Sequence, residues 1–300
     1  MPINELERHP YLNYLEDFNV VPKPAYSGII IGSFPIYACT DTLDINLNVI
    51  QQRLNLNEVK MRFFYGSKKS NLWKYSTAAF GVLDPTLAMA GDNLTSLPDL
   101  VRERTIDFLQ SNDLLITDVI LRTNRRKKSS EDSNLWITDD GVNQNIKDNL
   151  QLNYNLRNTL ERFPTINNLY FTANGIDGKS PFGWFRSLFD NLEIHEPRVI
   201  GGRTWGFTCI VENRTYKVFL LPTPKTRGIH FTDNRRVEMF ANFLQSTNIE
   251  LYISIDNVPQ SLWTPMQKYE LTEAREEFLI ECYRQALVLN NLDFTGFVNN

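Results

Sequence analysis

Four short, almost unbroken apolar runs decide what this chain can fold into. They are Gly28-Ile29-Ile30-Ile31-Gly32, Leu114-Leu115-Ile116-Thr117-Asp118-Val119, Asn168-Leu169-Tyr170-Phe171-Thr172 and Tyr216-Lys217-Val218-Phe219-Leu220-Leu221, the last stopped by Pro222. Runs of strand length with little polar alternation are buried on both faces. Amphipathic stretches lie between and after them. Helices are expected over 71–80, over 99–110 with Asp99 as a cap after Pro98, over 145–162, over 181–189 and over 234–245. This alternation predicts an α/β fold: a three-layer α/β/α sandwich with a mostly parallel central sheet.

Composition closes off other classes. The 300 residues are 42% hydrophobic and 22% charged, enough for a sizeable core and too apolar for a disordered chain. No apolar run approaches the ~18 residues of a membrane span. The charged N-terminus, MPINELERHPYL, does not read as a signal peptide. The three cysteines stand far apart with no CxxC pair, and there are three histidines, His9, His195 and His230. Reduced thiols in a cytoplasmic protein are therefore expected, with neither a disulfide framework nor a metal site. A formal charge of −4 argues against a surface that is basic all over, yet leaves room for a local basic stripe. The expected organisation is an N-terminal extension over 1–26, an α/β domain over 27–249 and a C-terminal appendage over 250–300. That appendage carries an edge strand over 251–255 and a helix over 271–289. The polar stretch 122–133 reads as an exposed loop.

Open α/β sheets bind ligands beyond the carboxyl ends of their strands. Leaving those ends are Gly32, Ser33, Phe34 and Pro35; then Asp118 and the basic run Arg125, Arg126, Lys127 and Lys128; then Asn174; then Thr223, Pro224, Lys225 and Arg227. A separate piece, Phe63 to Trp73, interleaves Phe63, Phe64 and Tyr65 with Lys68 and Lys69 before Ser70 and Asn71 open a helix. Aromatic faces beside lysines suit stacking on a nucleobase and holding its phosphate. The plainer reading makes Phe63, Phe64 and Trp73 core and Ser70 a helix cap. Asp118 either accepts from an N–H edge, orients water, caps a turn or pairs with the adjacent arginines. Thr223 to Arg227 either enters a duplex or forms a solvated turn, and the basic run is either a phosphate clamp or a solvated charge run.

These segments carry a resemblance to the uracil-DNA glycosylase superfamily, nearest the branch of mismatch-specific uracil and hypoxanthine-DNA glycosylases. The turn Gly32 to Pro35 is similar to that branch's G-[ST]-F-P. Tyr65 to Trp73 loosely resembles its aromatic–G/A–x–P–x–N–x–F–W segment. Ile116 to Val119 with its basic loop, Phe171 to Gly175, and Leu221 to Pro224 follow in the branch's order. Counting back from Trp73 puts Ser70 where the branch has its active Asn, with Asn71 one residue later. The stretch 36–62 is longer than the branch's usual loop and would reshape the base pocket.

The resemblance implies a cofactor-independent, monomeric DNA glycosylase that swings a damaged or modified base out of the duplex and hydrolyses its N-glycosidic bond. It implies catalytic roles for Asn71 or Ser70 and for Asp118. Base contacts fall to Gly32, Ser33, Phe34, Pro35, Phe64, Tyr65 and Asn174. DNA contacts fall to Lys68, Lys69, Arg125, Arg126, Thr223, Pro224, Lys225 and Arg227. Base-excision repair of uracil or hypoxanthine is the simplest role. Antiphage removal of a bulky modified cytosine is the alternative that the long insert raises. A binder that kept the fold and lost catalysis, or a hydrolase of free nucleosides, would be the competing classes.

Overall fold

The computed structural model describes residues 3–42, 61, 63–67, 70–82, 98–125, 135, 150–178, 180–200, 203–224, 240, 243–244, 246 and 265–294. In chain order the first elements are β1 (Ile3–Arg8), α1 (Tyr14–Asp17), β2 (Gly28–Gly32), β3 (Asp41–Thr42), α2 (Leu72–Ala79) and α3 (Pro98–Ser111). Then come β4 (Leu114–Asp118), β5 (Ile120–Arg125), β6 (Gln151–Leu152), α4 (Asn155–Arg162), β7 (Asn168–Phe171) and α5 (Pro181–Arg186). The chain continues with β8 (Glu193–Ile200), β9 (Arg203–Val211), β10 (Arg214–Leu220) and α6 (Pro265–Tyr283), which runs on into a π-helical turn, Arg284–Val288.

The main sheet has six strands in the order β4-β2-β7-β10-β9-β8. The first four are parallel, and β9 and β8 add antiparallel strands at one edge. Every residue of β2, β4 and β7 is buried. Strands with both faces covered need no polar alternation, which is why the four apolar runs are strands and why they lie side by side. The fold is thus α/β with a mostly parallel sheet.

A second, antiparallel sheet has the order β3-β1-β5-β6. It begins where β4 ends, because Val119 alone separates β4 from β5. β1 lies against β5 with Glu7 opposite Thr123 and Arg8 opposite Arg122. A buried ion pair locks this join: Arg125 Nε donates to Glu7 Oε1 at 2.6 Å, with both side chains almost wholly inaccessible. Thr40 donates to the other Glu7 oxygen at 2.5 Å, and the Arg125 guanidinium also donates to Pro35 O at 2.7 Å. The clamp ties β1, β5 and the turn after β2 into one unit.

Two expectations need correction. Within 145–162, residues 151–152 form a strand and the helix starts at Asn155. Asn153 decides this: its backbone N–H donates to Val119 O at 2.8 Å, and its amide donates to Thr117 Oγ1 and Asp118 O. The expected exposed loop over 122–133 is, as far as Arg125, a strand with Thr123, Asn124 and Arg125 buried. Of the helix expected over 234–245, Phe240, Phe243 and Leu244 are buried, with Phe240 and Phe243 packed on Phe278 of α6. The strand expected over 251–255, most of 36–62, and His230 lie outside the described residues. α6 packs along α2, with Lys74 paired to Glu276 at 2.5 Å and the Tyr75 ring edge-on to Tyr283. No described helix is long and apolar enough to cross a membrane.

Candidate functional site

Counted along the chain, the four parallel strands stand in the sheet as second, first, third, fourth. The chain leaves β2 for β4 on one side and reaches β7 on the other. Connections that diverge in this way open a crevice at the carboxyl ends of β2 and β7, the position where such sheets take ligands.

Four separate segments meet there. Gly32 ends β2, Asp118 ends β4 beside it in register, and Thr172 follows β7. The fourth segment brings Tyr65, whose hydroxyl shares a hydrogen bond with Thr172 Oγ1. A methyl group built on Gly32 would collide with both Asp118 Oδ1 and the Tyr65 hydroxyl. Only a glycine lets those two oxygens approach the strand end. Tyr65 adopts φ of 53°, a left-handed conformation that costs a bulky residue ~1–3 kcal/mol.

Asp118 is 3% exposed, and its two oxygens differ. Oδ2 meets His9 Nε2 at 2.9 Å. Oδ1 is buried with no hydrogen-bond partner. The His9 ring accepts the Tyr11 backbone N–H at Nδ1, 3.0 Å away. A neutral imidazole that accepts at Nδ1 carries its proton on Nε2, so His9 donates to Asp118. An unsatisfied buried acceptor costs ~1–3 kcal/mol, more when charged, and calls for a reason.

The remaining expected residues fall into two groups. Near the crevice, Asn71 is buried at the start of α2. Its amide donates to Tyr75 Oη at 3.0 Å and its Oδ1 has no partner. Its side chain does not cap the helix. Its backbone N–H donates to Pro224 O at 2.9 Å, so the segment leaving β10 is tied to the start of α2. Tyr283 supports the same segment by donating to Pro222 O at 3.0 Å. Burial raises the Tyr75 hydroxyl above its ordinary pKa, partly offset by the Asn71 amide, and raises that of Tyr283 further. Both therefore stay protonated donors at neutral pH. Ser70 is half-buried and accepts the Leu72 N–H at 3.4 Å, the reach of a helix-start contact. Phe34 is partly open beyond β2, its ring edge-on to His9 and 5.6 Å below the Arg125 guanidinium. Thr223 is partly exposed and Pro224 buried.

The second group is engaged within the protein. Phe64, expected to stack on a base, is 0% exposed and ringed by His9, Tyr11, Tyr14 and Phe63, so no face is open. Arg125, expected at a phosphate, is held by Glu7 and is 2% exposed, so its charge does not reach the surface. The Asn174 amide, oriented by its surroundings, donates to Leu220 O at 3.2 Å and Leu221 O at 2.6 Å and braces the end of β10. Lys68, Lys69, Arg126, Lys225 and Arg227 lie outside the described residues.

Sequence reasoning missed His9. It sits in a polar stretch that reads as an N-terminal extension, 109 positions from its partner. Nothing local marks it. Among the described residues, no cluster of three or more His, Cys, Asp or Glu is placed to hold a metal ion. No family model, no curated protein and no solved structure matches the chain.

Proposed function

We propose that the chain is a monofunctional DNA N-glycosylase working at the β2/β7 crevice, on a three-layer α/β/α scaffold and as a cytoplasmic monomer. One observation carries this reading: the buried, unpartnered Asp118 Oδ1 stands with the Tyr65 hydroxyl over a glycine strand end at the sheet's switch point. Glycosidic hydrolysis needs an acceptor of this kind. As the C1′–N bond breaks, its electron pair leaves with the base and the sugar gains oxocarbenium character. Water bonds to C1′, and its proton passes to a nearby carboxylate, here Asp118. The base in the crevice is bordered by the Phe34 ring, by Tyr65 and by Asn71, whose orphan oxygen accepts from an N–H edge. A base inside a duplex cannot reach a buried carboxylate, so the nucleotide must swing out, at a cost of a few kcal/mol.

The test is a panel of duplexes carrying uracil, hypoxanthine or hydroxymethylated cytosine, with modified phage DNA beside it. Incubation followed by alkali is expected to break the strand at one modified position. Silence on every member overturns the reading. Release of free base from nucleosides, with no salt-dependent DNA affinity, would move the activity to a nucleoside hydrolase at the same crevice.

A further inference from the structure

We infer that His9 is a positioning residue: it holds Asp118 by Oδ2 so that Oδ1 alone is turned to the crevice as an acceptor. The inference rests on the glycosylase reading for its chemistry and on independent contacts for its geometry. A carboxylate on a strand end is free to rotate about its Cβ–Cγ bond and can present either oxygen. Here the rotation is fixed from outside the sheet. The Tyr11 N–H occupies His9 Nδ1 at 3.0 Å, which leaves Nε2–H as the only ring donor, and that donor meets Asp118 Oδ2 at 2.9 Å.

The ring itself has little freedom. Its side chain is fully buried, with the Phe34, Phe64 and Tyr11 rings within 5.0 to 6.0 Å centroid to centroid. Its backbone N–H donates to Leu121 O at 2.9 Å, just past Asp118, so partner and carboxylate are carried on adjoining backbone. The Glu7–Arg125 pair fixes the strand two residues before it. The residue that follows β1 is therefore part of the site, although β1 belongs to the second sheet. A neutral donor suits this task. It orients the carboxylate through one oxygen and leaves the other open to a proton from water.

Two substitutions separate positioning from packing. His9→Phe fills the same aromatic nest and removes the donor; His9→Gln restores an N–H at the same reach. Under single-turnover conditions, His9→Phe is expected to lower the rate of base release about 100-fold, the cost of a misplaced reacting group. His9→Gln should return it to within about tenfold of the unaltered protein. DNA affinity should change less than about twofold in both, since His9 does not face the duplex. Independently, proton–nitrogen correlation spectra of the imidazoles should show the buried ring as the Nε2–H tautomer. Full activity in His9→Phe, no recovery in His9→Gln, or an Nδ1–H tautomer overturns the inference alone. An inactive unaltered protein that shows the Nε2–H tautomer upholds the geometry and overturns the glycosylase reading.

Discussion

Two buried carboxylates, Glu7 of β1 and Asp118 at the end of β4, are treated in opposite ways in this structure. Glu7 is saturated: one oxygen meets Arg125 and the other meets Thr40. Asp118 is half-satisfied: His9 takes one oxygen and nothing takes the other. The first pattern is that of a structural lock, in which a charge taken out of water is compensated on every side. The second retains an electrostatic cost that the fold does not need. Burial does not distinguish the two carboxylates; the number of their oxygens bonded within the protein does.

Breaking the saturated side should have the largest effect on stability. Arg125→Ala strands Glu7 in the interior and is expected to cost about 3–5 kcal/mol in urea denaturation, while a paired Glu7→Leu, Arg125→Met replacement recovers most of it. At the unsaturated side, Gly32→Ala places a methyl group against Asp118 Oδ1 and the Tyr65 hydroxyl, with an expected loss of about 1–3 kcal/mol and of base release together. Tyr65→Phe removes the hydrogen bond to Thr172 and should cost about 1 kcal/mol. Asp118→Asn should leave stability within about 1 kcal/mol or raise it, because it removes a charge whose second oxygen has no partner. A large destabilisation there would place Asp118 with Glu7 as a structural group and erase the contrast.

The smallest effect at neutral pH concerns a third region, the paired strands β9 and β10 of the main sheet. Burial pushes the Cys209 thiol from 9.0 up to about 12, and the Tyr216 hydroxyl from 10.0 to about 12. The folded state holds these protons more tightly than the unfolded chain does. Their contribution is whole below pH 9 and falls as the pH rises toward 12. Stability measured against pH should decline over that window, and Cys209 should react with thiol reagents only on unfolding.

Much of the main sheet was legible because its parallel strands bury both faces and so announce themselves as apolar runs. β1 and β5 were not. Their sequences, INELER and ILRTNR, look solvated because Glu7 and Arg125 are charged, and only their pairing across 118 positions makes them interior. β8 hid for a related reason, with charged residues such as Glu193, Glu196 and Arg198 along an edge. At the site, Gly32, Tyr65 and Asp118 were readable from their place at strand ends and in an aromatic turn. His9 was not, since its role exists only through a contact the chain makes after folding. The inward turn of Phe64 and the bracing of β10 by Asn174 were equally invisible, because residue type does not reveal what a ring or an amide will meet.

The most direct measurement is mass-spectrometric detection of free base released from the substrate panel by the unaltered protein and by Asp118→Asn, under single turnover. The account predicts one released base, with a yield rate at least about 100-fold lower in the variant whose fold is intact. Equal release by both proteins, or no released base from any substrate, would contradict it.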